Sequence, residues 1–280
     1  MNINSLCYLV LAILSIILLI YVCFKKGTRR SLLLFIAMVG FGYVIEAVIY
    51  NFLGSYQYHP KLLKHDRIYD SNMGAIASNA LALPVTATFL ATFHKNWLWI
   101  ASFIGIFAGI EWLFLKLDIY THNWWKIGYT SLGLPFYYIF AKILHKKIGP
   151  PIKGLIHSFC LFLMVGSFTG SFHILPIMLF SNRYYELGLF ENRAKDTTAF
   201  GAIFYLCASL FYVAIAKIHY IPRWLKYVVT PLCMFTITIL LRKSGILHSL
   251  VWWDTWYYIF LALFALLFTE TISKRLAKGT

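Results

Sequence analysis

Two glutamates sit inside long apolar runs of this chain, Glu46 and Glu111. An ionisable group placed deep in hydrocarbon costs about 2.5–3.5 kcal/mol on insertion scales, so such a side chain is turned inward, paired or protonated. If the two carboxyl groups met, they would compete to ionise, which is the arrangement a proton relay or a general acid exploits. The helical neighbours of Glu46 at i−4, i−3 and i+4 are Gly42, Tyr43 and Tyr50. These give room beside the carboxyl and two phenols to bond it. Asp118 follows Glu111 by seven residues and is expected on the same helical face, nearer the surface. Between the glutamates, Asn72, Ala75, Asn79, Ala82 and Thr86 recur at 3, 4, 3 and 4. Small and polar residues at that spacing let helices pack closely and bond across their interface. Glu46 and Glu111 are therefore the candidate acid–base groups. Asn72, Asn79, Tyr43, Tyr50 and Asp118 are candidate contacts to a small molecule.

Other polar groups have structural explanations. Asp70 or Ser71 is expected to cap a helix, Pro84 to kink one, and Glu270 to pair with Lys274 one turn on. His173 shares a face with Gly166, Thr169 and Gly170 and reads as a packing histidine, with a ligand role as the alternative. Gly105/Gly109 and Gly166/Gly170 have close-packing spacing that suits internal and dimer contacts equally. His59, His65, His94, His122 and His145 lack the i, i+4 spacing of a helical zinc pair, and the five cysteines form no Cys-x-x-Cys. No metal or cofactor is expected. Phosphate-binding loops, dinucleotide fingerprints and nucleophile elbows are absent from the sequence.

The elements that must position these groups follow from composition. Hydrophobic residues make up 60% of the 280 and charged residues 12%, where a soluble domain carries about 25% charged. Mean hydropathy is +0.72. Apolar runs of some 20 residues, each enough to span a bilayer core of about 30 Å, recur from end to end. The runs are continuous and lack the alternation of barrel strands, so helices are expected. Nine spans are placed at 5–24, 31–53, 73–93, 97–117, 127–144, 154–178, 198–216, 224–241 and 253–272. The fifth and eighth are short, which leaves an eight-span count as the alternative. The expected architecture is an all-α, polytopic transmembrane bundle over residues 1–280, one domain with no soluble part. The first run has no basic residue before it and no small-residue cleavage site ahead of Lys25, so it reads as a retained anchor.

Charge gives an orientation. With nine spans, Lys25–Arg30, Lys95, Lys142–Lys153, Lys217–Lys226 and Lys274–Lys278 fall on one side and hold fifteen of the 25 Lys and Arg residues. Asp66, Asp70, Asp118, Glu186, Glu191, Asp196 and Asp254 all fall on the other. The basic side is expected to face the cytoplasm, with the N-terminus outside and the C-terminus inside. An eight-span count would scramble that separation. The formal charge of +15 then reflects cytoplasmic flanks against anionic headgroups, and nucleic acid is not an expected partner. Trp124-Trp125 and Trp252-Trp253 read as interfacial belts.

Gly40 and Gly105 each precede a glutamate by six residues, an Ile stands directly before each glutamate, and an aromatic loop follows. These features hint at a duplication of helix pairs with an offset of 65. Asp70, Pro84, Glu111, Ile119-Tyr120 and Trp124-Trp125 make the segment 59–142 resemble an uncharacterised family of bacterial multi-spanning membrane proteins. That resemblance implies a membrane protein and no particular activity. Glu46 followed by Gly54, Tyr56 and Tyr58 also resembles the Glu and Gly-x-Tyr-x-Tyr pattern of membrane carotenoid cyclases and hydratases, whose other acidic motifs are not evident here.

Three functions compete. The first is a carrier or small-molecule-binding protein of a plasma (inner) membrane, with a polar site in the outer half of the bilayer. The second is an intramembrane enzyme that uses Glu46 or Glu111 as general acid on an isoprenoid or lipid. The third is a noncatalytic subunit of a membrane complex. The bilayer and a small molecule or lipid are the expected partners, and the sequence does not fix an oligomeric state.

Overall fold

The computed structural model describes residues 2–218 and 220–279. Among them are nine long helices: α1 (Ile3–Lys26), α2 (Thr28–Phe52), α3 (Arg67–Thr92), α4 (Trp97–Lys116), α5 (Ile127–Ile148), α6 (Gly154–Phe180), α7 (Arg193–Lys217), α8 (Arg223–Lys243) and α9 (Asp254–Lys278). Each falls on one of the nine apolar runs. Eight are long and apolar enough to cross a membrane; α5, which carries Pro135, Lys142, Lys146 and Lys147, is not among these eight. Four three-residue strands lie between helices: β1 (Tyr56–Tyr58), β2 (Tyr120–His122), β3 (Arg183–Tyr185) and β4 (Leu247–Ser249).

Short polar side chains set the helix starts. Asn2, Asn96 and Asn192 accept bonds from backbone N–H groups of the first turn. Gly27, at φ +90°, makes the break between α1 and α2 that a side chain would strain. In α3 the cap is Asp66, which accepts from Ile68 N and Tyr69 N at 2.7 and 3.1 Å. The helix therefore begins earlier than the apolar run implies, and neither Asp70 nor Ser71 is its cap. Two stretches wind as π-helix, Ala47–Phe52 at the end of α2 and Ile76–Ala82 inside α3. The second ends just before Pro84, which stands in the first turn of the α-helix that follows, so the expected disturbance takes the form of a wider turn ahead of the proline.

The chain divides into two compact units, one running to Ile152 and one over Lys153–Ala277. In the first, α1, α2 and α5 all pack against α3, and β1 pairs antiparallel with β2, Tyr56 opposite His122 and Tyr58 opposite Tyr120. In the second, α6 packs along α7, and β3 pairs antiparallel with β4, Arg183 opposite Ser249 and Tyr185 opposite Leu247.

The two units repeat one plan. Tyr56 to Arg183 and Tyr120 to Leu247 are each a step of 127 residues. In the first unit Asp70 accepts from Lys61 N, Leu62 N and Leu63 N at 2.6–2.9 Å, and Ser71 Oγ accepts from Tyr58 N. In the second, Asp196 accepts from Leu187 N, Gly188 N and Leu189 N at 2.7–2.9 Å, and Thr197 Oγ1 accepts from Tyr185 N. Helix, strand, aspartate-tied loop, two helices, strand and helix thus recur over four helices each, with α1 additional to the first unit. The loops after Glu46 and Glu111 are not copies of one another in this plan. They are the two strands of one pair.

Candidate functional site

The β1–β2 pair covers one end of the first unit, and beneath it lies a cavity of about 200 Å³. Glu46 from α2 and Glu111 from α4 both line it, together with Asn79 from the π-helical turn of α3. Its aromatic wall comes from Tyr56, Tyr58 and Tyr120 of the strands and Trp125 and Tyr129 beyond them. The rest is mainly aliphatic and Phe side chains from α1, α2 and α4, with Leu83 of α3 and Leu134 and Tyr137 of α5.

Backbone approach explains why these groups converge. At Gly42 a Cβ would lie 3.1 Å from the Asn79 carbonyl oxygen, so α2 and α3 touch where the widened turn of α3 presents Asn79. A Cβ at Gly74 would lie 2.4 Å from Tyr58 Cβ, closer than any real contact, so β1 rests directly on α3. That contact sets Tyr58 over Asn79, whose Nδ2 donates to the phenol oxygen at 3.2 Å. The aromatic rings pack edge and tilt: Tyr58 and Tyr120 are 4.9 Å apart between centroids, Tyr56 and Tyr120 5.3 Å, Tyr56 and Trp125 5.6 Å.

The two carboxyl groups have different partners. Tyr56 donates its hydroxyl to Glu46 Oε1. Glu46 Oε2 is buried with no hydrogen-bond partner. Glu111 Oε1 lies 2.7 Å from His122 Nε2, and the Glu111 side chain is 9% exposed. Burial pushes the phenols of Tyr56, Tyr58 and Tyr120 well above their ordinary value, with the Glu46 carboxylate adding to the shift. They stay protonated; Tyr56 donates to Glu46, and the Tyr58 hydroxyl accepts from Asn79. Glu46 and Glu111 together form a pair of acids in a largely apolar hollow, one hydrogen-bonded to a phenol and one to an imidazole.

The other expected contacts are dispersed. Tyr50 is buried one layer behind, donating to Ser71 Oγ at 2.7 Å, so the phenol that reaches Glu46 is Tyr56, from the strand, and not a helical neighbour. Tyr43 is half-buried on α2 and does not line the cavity. Asn72 Nδ2 donates to Ile68 O of its own helix at 3.0 Å, and Asn72 does not line the cavity. Asp118 is exposed and has φ +52°. Because α4 ends at Lys116, the seven-residue spacing no longer puts Asp118 on the face of Glu111. The residues that the helical pattern left out, Tyr56, Tyr58, Tyr120, His122 and Trp125, all come from the segments between helices. Their signal was the aromatic density of 56–58 and 120–125.

In the second unit the corresponding space is filled. Arg183 Nε and Nη2 each lie 2.8 Å from a different oxygen of Asp254, Nη1 donates to Tyr185 Oη at 3.0 Å, and the guanidinium stands 3.4 Å over the Tyr258 ring. The pair is 1% and 0% exposed. His173 stacks on Phe204 and lies 3.2 Å from Tyr185 Oη, a packed and bonded imidazole. Glu270 bonds to Arg223 Nε at 2.9 Å and Tyr227 Oη at 3.0 Å, so its partners come from α8 and not from Lys274 on its own helix. Among the described residues, no group of three His, Cys, Asp or Glu side chains is placed to hold a metal ion. No family model matches the chain, and neither the curated proteins nor the solved structures offer a match.

Proposed function

We propose that this is a multi-pass protein of a plasma-type membrane that binds a small molecule, as a carrier or receptor, in the cavity beneath β1 and β2. The observation that carries the reading is that Glu46 and Glu111, acids on separate helices, line one hollow whose remaining wall is mainly aromatic and aliphatic. Ligand sites are typically apolar with a few convergent polar groups. At about 200 Å³, this one is smaller than the roughly 300–1,000 Å³ usual for drug-sized ligands. The distribution of Lys and Arg supports nine spans with the N-terminus outside, which would put the cavity toward the outer leaflet.

The test is retention of compounds from a cell extract by the purified full-length protein, read by mass spectrometry. Wild type is expected to hold a compound that a Glu46→Gln, Glu111→Gln protein of equal thermal stability releases; identical retention would count against the site. Labelling that finds the C-terminus on the outer surface would overturn the orientation. A second reading, an intramembrane enzyme, draws on the 2.7 Å contact between Glu111 and His122, a distance suited to sharing a proton during catalysis. It predicts a defined mass difference between lipid extracts of cells with and without the protein.

A further inference from the structure

The two units differ in how they neutralise buried carboxylates. At the first position of β3 the second unit has Arg183, whose guanidinium is held by Asp254, by the Tyr185 hydroxyl and over the Tyr258 ring. The first position of β1, 127 residues earlier, is Tyr56. By the same step Tyr185 corresponds to Tyr58, and His173 to Glu46. Asp254 and Tyr258 correspond by that step to Ile127 and Ser131, so the first unit keeps the tyrosine at the third strand position, carries its acid at Glu46 of α2, and has no built-in Lys or Arg at the site. None of the residues lining its cavity is Lys or Arg, and Glu46 Oε2 is left buried and unpartnered.

A buried carboxylate with one oxygen left unpartnered carries a desolvation cost that a cation would offset, and ring faces attract cations within about 6 Å of their centroids. Arg183 shows what this architecture accommodates when the cation is supplied by the chain itself. We propose that the cavity of the first unit binds a small monovalent organic cation, an ammonium or guanidinium head bearing an apolar group. The head would meet Glu46 and the faces of Tyr56, Tyr58 and Tyr120, and the apolar group would lie against the wall formed by Ile49 and Phe114. A hard metal ion such as Ca²⁺ or Mg²⁺ takes about six or more oxygen ligands, and this largely hydrocarbon lining does not supply them.

This inference rests on the reading of the cavity as a small-molecule site, and the test separates the two. The full-length protein in detergent would be titrated with benzyltrimethylammonium and with the net-neutral benzyldimethylamine N-oxide. Saturable binding of the cation, at least tenfold tighter than that of the N-oxide, is the expected result. Glu46→Gln is expected to weaken the cation at least tenfold and to leave the N-oxide unchanged, which also reports an intact cavity. Tyr56→Arg gives the first unit the side chain of the second. It is expected to abolish probe binding while thermal unfolding stays at or above that of wild type, and it decides the matter if Glu46→Gln does not fold. Equal affinity for both probes, undiminished cation binding by Glu46→Gln or by Tyr56→Arg, or no binding of either probe by wild type would each overturn the inference. Loss of charge preference alone would leave a small-molecule site standing. Retention of the same extract compounds by the Glu46→Gln, Glu111→Gln protein would remove that reading too.

Discussion

The two units of this chain use one succession of helices and strands for opposite ends. In the second, a guanidinium and a carboxylate, both excluded from solvent, meet with two well-formed N–H···O bonds beneath β3, and the gap beside His173 and Tyr258 is about 20 Å³. In the first, two carboxyl groups surround a hollow roughly ten times larger, and two π-helical turns widen the helices that bear Glu46 and Asn79. Turns of that kind concentrate at functional sites. The plan common to both is therefore the scaffold, and what differs between them is where binding chemistry is expected. A filled, self-neutralised interior serves stability, whereas the open and charge-unbalanced one is where the proposed ligand would sit.

The largest effect should come from breaking the self-neutralised unit. Asp254→Ala leaves the Arg183 guanidinium buried without its carboxylate, a change that destabilises by about 3–5 kcal/mol where a buried pair loses one partner. Thermal unfolding in detergent should register it as a large drop. Arg183→Met with Asp254→Leu should recover much of the loss, since an apolar replacement of both members removes the uncompensated charge. If Asp254→Ala unfolds like wild type, the contrast between a filled and an open unit loses its basis.

Next come the aspartates that the units share. Asp70 and Asp196 each collect backbone N–H groups of the loop after the strand. Hydrogen bonds to a charged group contribute about 1.5–3 kcal/mol. Asp70→Asn and Asp196→Asn should therefore lower stability by similar amounts in that range. A marked inequality would argue that the two loops are not equivalent parts of a repeat.

These pairs also show what a reader of the sequence could and could not foresee. The helices were legible because each is a continuous apolar run, a local property: 97–117 anticipates Trp97–Lys116 and 154–178 anticipates Gly154–Phe180. Helix starts were less so, because the cap of α3 sits in the polar segment ahead of the run, at Asp66. The repeat was hidden because its common features are few and far apart. Asp70 answers to Asp196 and Tyr58 to Tyr185, but Tyr56 answers to Arg183 and Glu46 to His173, so the residues that define each site are the ones that diverged. At the site, the carboxyl groups stood out for being costly in an apolar run. Their partners did not, since Tyr56 and His122, which face each other across the β1–β2 pair, come from the strands after the helices and not from the helical period of Glu46 or Glu111.

Gly74 offers a finer probe of the same contrast. A side chain there collides with Tyr58, while three residues beyond Thr197, as Gly74 is beyond Ser71, the second unit has Phe200, whose ring packs 4.6 Å from that of Tyr185. Gly74→Ala should cost about 1–3 kcal/mol, as overpacking does, and should shift Tyr58 from its seat over Asn79. Weakened ligand retention with modest loss of stability is the expected outcome. Unchanged stability and retention would mean that β1 does not rest on α3 as described.

The smallest effect concerns acid. His59 follows β1, and its Nε2 lies 2.9 Å from Thr121 Oγ1, while the same step of the second unit opposes Glu186 and His248 at 3.6 Å. Partial burial holds the His59 imidazole below its ordinary value, with Lys61 and Arg67 adding to the shift and Asp70 opposing it. The folded protein therefore binds fewer protons at this site than the unfolded chain. The stability that neutral His59 contributes is fully present above the unfolded value of about 6.5 and declines as pH falls through it. Thermal unfolding measured at pH 7.5 and 5.5 should show a smaller difference for His59→Gln than for wild type. A difference equal to that of wild type would place the acid sensitivity elsewhere and remove His59 from the comparison of the two strand pairs.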